Sequence, residues 1–310
     1  MSAVRRDPQA DPLFARPRPE RPAYATGMLL GARDFADEQT YHRGQLARAL
    51  AYLAGPGTLA GLRVSCVPAG SGGQAAQPEE IRVEPGLAVD WLGRLIEVPR
   101  AACVRLPAWF AALPDDTRSQ AAYPQGVGTL DGFTSARALA EAGGTLPTRV
   151  LAADLYLRFV ACDAAWSPAF ASGPYDALDA IAASRVRDAY ELLLLPRTGL
   201  QADTTKGLPD PGPDLAGIAD PADRRAALQD HLLDDAYRPV SAAGSAGDLK
   251  ALSANPDGVD PSAVWLARVL LPVQAGDPPQ RTDPVGEPVI DNYSRRFLPA
   301  AALLARWLGA

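Results

Sequence analysis

The side chains of this chain that could do acid–base, nucleophilic or metal chemistry are two histidines, three cysteines and scattered carboxylates. A serine or cysteine nucleophile needs an imidazole beside it. His42 falls on the apolar stripe of a predicted helix, where a buried, hydrogen-bonded role is expected, and His231 lies inside another predicted helix. No G-x-S-x-G turn occurs, because Ala69 and Ala243 stand where Ser71 and Ser245 would need the first glycine. Metal sites need clustered ligands, and there is no CxxC, HxxxH or calcium-loop spacing. Asp34, Asp37 and Glu38 do cluster, but carboxylates in the first turn of a helix are explained by its dipole. Gly55-x-Gly57-x-x-x-Gly61 has the look of a phosphate loop. It closes a helix and opens a strand, the reverse of what dinucleotide binding requires, and reads as a helix stop with close backbone packing. Asp90, Glu97 and Glu84 sit on neighbouring strands as a glycosidase pair might, with surface solvation the expected role. Asn292-Tyr293-Ser294 is a glycosylation sequon in form only. Cys66, Cys103 and Cys162 are odd in number and far apart, as expected for reduced thiols packed as small apolar groups. The expectation is no catalytic residue, no cofactor, no metal and no enzyme.

The elements that would position any site follow from periodicity. A helix is predicted over Asp34–Leu53, capped by Asp34, with Phe35, His42, Leu46, Leu50 and Leu53 recurring on one face and Gly55-Pro56-Gly57 ending it. Leu62, Val64 and Cys66 then alternate against Arg63 and Ser65. After a Gly/Ser/Gln loop from Ala69 to Gln77, short apolar pieces at Ile81–Val83, Leu87–Val89 and Leu95–Val98 are divided by Glu84-Pro85-Gly86 and Trp91-Leu92-Gly93-Arg94, which reads as an antiparallel meander. A short helix is expected near Ser135–Ala142. Strands are expected at Val150–Cys162, Arg185–Leu195 and Val264–Leu271, and helices at Pro221–Asp235 and Pro299–Leu308. Loops over Pro196–Pro221 and Val240–Pro261 are longer than the ~12 residues usual inside a compact domain, and such loops often carry function or partners.

The fold class expected is α+β, with an N-terminal helix packed on an antiparallel meander and further strands in a mixed second half with long loops. The regions are residues 1–26, an extended tail rich in proline and arginine; 27–145, helix plus meander; and 146–310, a second α+β region. The tail would be extended and mobile on its own, and is expected to be pinned against something, a neighbouring subunit included. Only two of the 30 positive side chains are lysine (Lys206 and Lys250), a bias that goes with abundant alanine and a GC-rich gene. A net charge of −6 argues against a phosphate-backbone partner. No apolar run approaches the roughly 18 residues of a membrane span, and the start does not read as a signal peptide, so cytoplasmic synthesis without membrane insertion is expected.

Several stretches carry a resemblance: Gly27-Met28-Leu29-Leu30, Asp34-Phe35, Glu38-Gln39 and Tyr41; Gly55-x-Gly57 and Gly61-Leu62-x-Val64; Val83-x-Pro85-Gly86-x-Ala88-Val89-Asp90, Gly93-Arg94 and Ile96. Later come Tyr156-Leu157-Arg158-Phe159, Arg185-x-Arg187-x-Ala189-Tyr190-Glu191-Leu192, Trp265-Leu266-Ala267-Arg268-Val269, and Ile290-Asp291-Asn292 with Arg295-Arg296. Over residues 27–298 the chain resembles a group of proteins encoded with extracellular contractile injection systems. More loosely, it is similar to the particle-attached N-terminal regions of phage tail-fibre and baseplate proteins. Thr58-Leu59-Ala60 departs from the valine-rich stretch ending in cysteine that the group carries there. The resemblance implies a structural subunit of a tail-like particle, at its baseplate, fibre or cap. Its expected partners are other particle subunits, reached through the N-terminal tail and the long loops, and further copies of itself. Such a particle assembles in the cytoplasm and can be released. The contrasting expectation is a carbohydrate- or cell-surface-binding module, with a shallow groove lined by Trp91, Trp109, Trp166 or Tyr175.

Overall fold

The computed structural model describes residues 4–7, 10–14, 20–70, 77–124, 134–144, 146–168, 181–198, 215, 217–235, 259–281 and 286–307. The fold is mixed α+β. Most of the two long loops, the loop after Ala69, and Tyr175 lie outside the described residues.

Helix α1 spans Ala32–Leu53. Gly31 rather than Asp34 is its N-cap: Asp34 sits in the first turn, and its Oδ2 accepts from the Gly31 N–H at 2.8 Å, satisfying one of the donors a helix start leaves open. The face of α1 that meets the rest of the protein is not the expected one. Gly44 and Ala47 are its buried residues, while Phe35, His42, Leu46 and Leu53 are exposed and Leu50 is half-buried. The reason lies in the turn Trp91–Arg94. Gly93 has φ +85°, and a Cβ placed on it would lie 1.8 Å from the Ala47 carbonyl oxygen. Turn backbone and helix backbone touch there, so only small side chains fit between them. Leucine or phenylalanine on that face would push helix and turn apart.

The expected meander is divided between two sheets. Strands β2 (Gly57–Gly61), β5 (Gly86–Val89) and β6 (Leu95–Val98) form one; β3 (Val64–Val67), β4 (Glu80–Val83) and β7 (Ala102–Arg105) form the other, all antiparallel. The run read as one strand from Leu62 is broken, because Leu62 adopts a left-handed φ of 57° and turns the chain from β2 into β3. Likewise β4 and β5 flank the Glu84–Gly86 turn yet pair with different partners. The glycines of the pseudo-phosphate loop serve this crossing: a Cβ on Gly61 would lie 2.1 Å from the Pro85 carbonyl, and one on Gly57 would lie 2.8 Å from that of Arg296. Helices α2 (Leu106–Ala112) and α3 (Asp115–Gln120) follow β7 directly.

The second half is built on β9 (Arg149–Pro168), a strand of 20 residues. One of its edges pairs with β8 (Ala122–Pro124) and then, along most of its length, with β10 (Ile181–Pro196). The other edge pairs with β11 (Val264–Pro272) as far as Leu157, and farther out with β1 (Val4–Arg5). Strand β12 (Val289–Asp291) extends the sheet beyond β11. Helix α4 (Ala136–Glu141) is capped by the Ser135 hydroxyl, α5 (Pro221–Asp230) by Asp220, and α6 (Ala301–Trp307) closes the described chain.

Alternation along β9 explains the core. Leu151, Ala153, Leu155, Leu157 and Phe159 face Leu62, Ile81, Ala88, Ile96, Leu106 and Phe110, so both small sheets and α2 pack on one side of the large sheet. Val150 and Ala152, with Leu146, Leu270 and Val289, meet α4 on the other side. Beyond Val160 the burial fades: Ala161–Pro168 and their partners on β10 form a ribbon of eight residues a side, roughly 27 Å long, flanked by β1 only at Cys162 and Asp163.

Replacing Gly93 by alanine should lower stability by at least about 2 kcal/mol, since it adds left-handed strain to a clash with helix backbone. A chemical-denaturation curve reads this directly, and the equivalent change at Gly143 (φ +82°), which faces open space, should show only the smaller strain cost.

Candidate functional site

The densest meeting of polar groups lies under the Trp91–Arg94 turn. Arg94 is buried, and its guanidinium reaches three parts of the chain. Nε donates to Asp90 Oδ2 at 2.7 Å, Nη1 to Asp11 Oδ2 at 3.0 Å, and Nη2 to the Ser262 hydroxyl at 3.0 Å. The cation also lies over two aromatic rings, 4.5 Å from the centroid of Phe159 and 5.2 Å from that of Phe14. Ser262 in turn donates to Asp260. Asp11 also accepts from Arg43 on α1 at 3.2 Å. Asp90 is fully buried, contrary to the solvated role expected for it, and its other oxygen accepts the backbone N–H groups of Leu92 and Arg94 at 2.9 and 2.8 Å. Burial pushes the Asp90 carboxyl up to about 6, against the pull of the Arg94 charge and of these hydrogen bonds.

A buried carboxylate with a raised affinity for protons can be a catalytic acid. Here both Asp90 oxygens are engaged within the chain and all three guanidinium nitrogens of Arg94 have protein acceptors, so the arrangement offers no reacting atom a place beside it. Its geometry is that of a latch: it fixes residues 11–14 against the meander turn and the entry to β11. The N-terminal tail, expected to be held by something, is held by its own chain in its described part. Val4 and Arg5 pair with Asp163 and Cys162 of β9, Arg5 bridges to Glu191 at 3.0 Å, and Arg6 bridges to Asp163.

A second buried node lies on the other face of β9. Asp154 is flanked by Arg268, directly across on β11, with Nε at 2.9 Å and Nη2 at 3.2 Å, and by Arg197 just beyond β10, with Nε at 3.3 Å. A third ties the chain end to the first small sheets. Asp291 accepts from the backbone N–H groups of Ser135 and Tyr293 at 2.8 Å, and from the hydroxyls of Ser135 and Ser294. Burial alone would raise the Asp291 carboxyl, but these donors together hold it below its ordinary value. Asn292, the sequon residue, is buried with its amide spanning the N–H and C=O of Val64 at 2.9 Å each, which leaves no room for a glycan. Arg295 donates to the carbonyls of Leu62 and Asn292, and burial lowers it to about 10.

The remaining candidate residues are dispersed. His42 is exposed on α1, edge-on to Tyr41, and not buried as expected. Cys66, Cys103 and Cys162 are free thiols; burial, with Glu79 beside it, pushes Cys66 up to about 12 and so away from thiolate chemistry. Trp109 donates its indole N–H to the Leu194 carbonyl at 2.7 Å, at the level of Leu155 on β9. Trp166 lies eleven residues farther along that strand, roughly 36 Å away, so the two line no common groove. Trp91 is at the meander turn. No group of three or more metal-ligating side chains comes together among the described residues, and no helix among them is long and apolar enough to cross a membrane.

Sequence reasoning singled out Asp90 and Arg94 but passed over Asp11, Asp154, Arg197 and Ser262. One signal was available: Asp154 and Arg268 are each the one charged residue of an apolar stretch, Val150–Leu157 and Val264–Leu271, and opposite charges so placed ask for each other. No protein-family model matches the chain, and no curated protein matches it.

The raised Asp90 carboxyl has a pH consequence of definite sign. Its folded-state value, about 6, lies above the ordinary 3.8, so the folded protein binds this proton more readily than the unfolded chain does. The contribution of Asp90 to stability is therefore greatest below pH 4 and is lost as the pH rises through 6. Urea unfolding of wild type and Asp90→Asn at pH 4, 5, 6 and 7 should show wild type losing ground to the variant across that window and holding steady above it.

Proposed function

We propose that this chain is a non-catalytic structural or adaptor subunit of a phage-tail-like contractile injection particle, placed at its baseplate, fibre or cap. The observation that supports the reading best is the distribution of its apolar surface. Met28, Leu29, Phe35, Leu46, Tyr52 and Leu53 are left outside along one helix and the segment before it, while the charged groups of the three interior nodes find their partners within the chain. A chain arranged so presents surfaces for protein neighbours, and large exposed apolar areas mark such surfaces. The ribbon of β9 and β10 adds reach, since it leaves the core with both faces partly open. Its outer strand, β10, pairs with β9 only, among the described residues, and an unpaired strand edge is a surface on which a neighbour can build.

In this reading the protein is made in the cytoplasm, joins other particle subunits and copies of itself, and leaves the cell only with the particle. A net charge of −6 suits contacts with proteins better than contacts with nucleic acid.

The test is size-resolved. The protein is tagged in its native host, the cells are lysed gently, and gradient fractions are viewed by electron microscopy with label on the tag. Label at a fixed position on sheathed, tail-like particles is the expected result. A protein that stays at the top of the gradient while such particles sediment without it would overturn the reading.

A further inference from the structure

Helix α1 carries two stripes. Thr40, Gly44, Ala47 and Ala51 make the one against the body, all small, all buried or half-buried. Phe35, Gln39, His42, Leu46, Ala49 and Leu53 make the other, and all six are exposed, Leu46 at 62% and Leu53 at 88%. At 100° per residue the second stripe is centred about 150° from the first, so it points away from the protein. Its spacing alternates between four and three residues over the whole helix, the repeat of a coiled-coil seam. The large side chains of α1 are thus where a partner helix would meet them.

We propose that this seam seats the α1 helix of a second copy of the chain, parallel and in register. The charges beside the seam select that occupant and that direction. In a parallel pair the residue before one seam layer faces the residue five positions on in the other helix. Glu38 of each copy then faces Arg43 of the other, on both sides of the pair, and Gln45 faces Leu50. In an antiparallel pair the Arg43 side chains would approach each other instead. Both charged groups keep capacity for the contact. Arg43 meets Asp11 through Nη2, with 42% of its side chain exposed, and Glu38 accepts from Tyr24 through Oε2. Gln39, paired with its own copy, would fix the register as a polar seam residue does. A parallel arrangement also brings the two Met28-Leu29-Leu30 segments to the same end of the pair, where Leu29, 95% exposed, can be covered.

The inference stands on the helix alone and does not rest on the particle reading; a free dimer in the absence of any particle would satisfy it. The experiment uses the purified full chain. Light scattering after size exclusion, with loading from roughly 1 to 100 μM, should give twice the chain mass at the upper end. Leu46→Glu with Leu53→Glu should return it to the monomer mass, with a melting curve unchanged at about 1 μM, where wild type is also monomeric, because both positions are exposed in the single chain. Ala49→Cys, at a seam position that meets itself only in the parallel register, should give a disulfide-linked dimer on mild oxidation that wild type does not. A monomer at every concentration, a dimer or trimer indifferent to the double substitution, or cross-linking only when Gln39→Cys is mixed with Ala49→Cys would overturn the proposal.

Discussion

Everything in the first half of this protein leans on one guanidinium. Arg94 is buried and must have its charge answered, and the answers come from residues 11, 90 and 262, three places that periodicity alone would never bring together. A lysine could not replace it. Three acceptors, one for each guanidinium nitrogen, with two aromatic rings close by, need the flat fork of an arginine. Asp90 fixes Nε from four residues away, so the turn itself presents the other two nitrogens, one to the N-terminal segment and one to the threshold of β11. The same turn puts Gly93 against Ala47 and so decides which face of α1 packs. One contact in the interior thereby determines what the outside looks like.

The rest of the structure repeats this solution. Asp154 with Arg268 and Arg197 ties β9, β10 and β11 on the face away from the small sheets, and the Asp291–Arg295 stretch ties the chain end to α4 and β3. Breaking a buried ion pair by removing one partner costs about 3–5 kcal/mol, because the other charge stays behind in the interior. Such ties bring specificity of position more than raw stability. That suits a fold in which long connections separate the strands that must meet.

How much of this was legible depended on range. The long apolar alternations of β9, β10 and β11 and the helical period of α1 were readable because each is local, and the glycine-rich stop after Leu53 was readable as a place of close backbone approach. The division of the meander was not, because the positive φ at Leu62 has no signature in a leucine; only the neighbouring Gly61 hints at it. The direction in which α1 faces was misread for a related reason. A stripe of large apolar residues is evidence of burial against something, and in an isolated chain it is assigned to the core by default, whereas here the smaller stripe, Gly44 and Ala47, meets the body. Asp11 was illegible because its partner is 83 residues away and its surroundings are a proline–arginine tail with no period. Among the motif residues, Gly93, Arg94, Asp291, Asn292 and Arg295 all make close contacts or hydrogen bonds between separate segments of the fold, and Asp90 holds Arg94.

The central claim is that Arg94 couples three separate segments, and hydrogen exchange on the intact protein measures that coupling most directly. Wild type and Arg94→Met, which keeps an unbranched apolar stem but lacks the guanidinium and its charge, would be compared amide by amide. The account predicts that residues 11–14, 90–94 and 259–264 lose protection together, while the far end of the ribbon, at Ala164–Ser167 and Ala182–Arg185, exchanges as before. Loss confined to the 90–94 turn, with the tail and the start of β11 still protected, would contradict it.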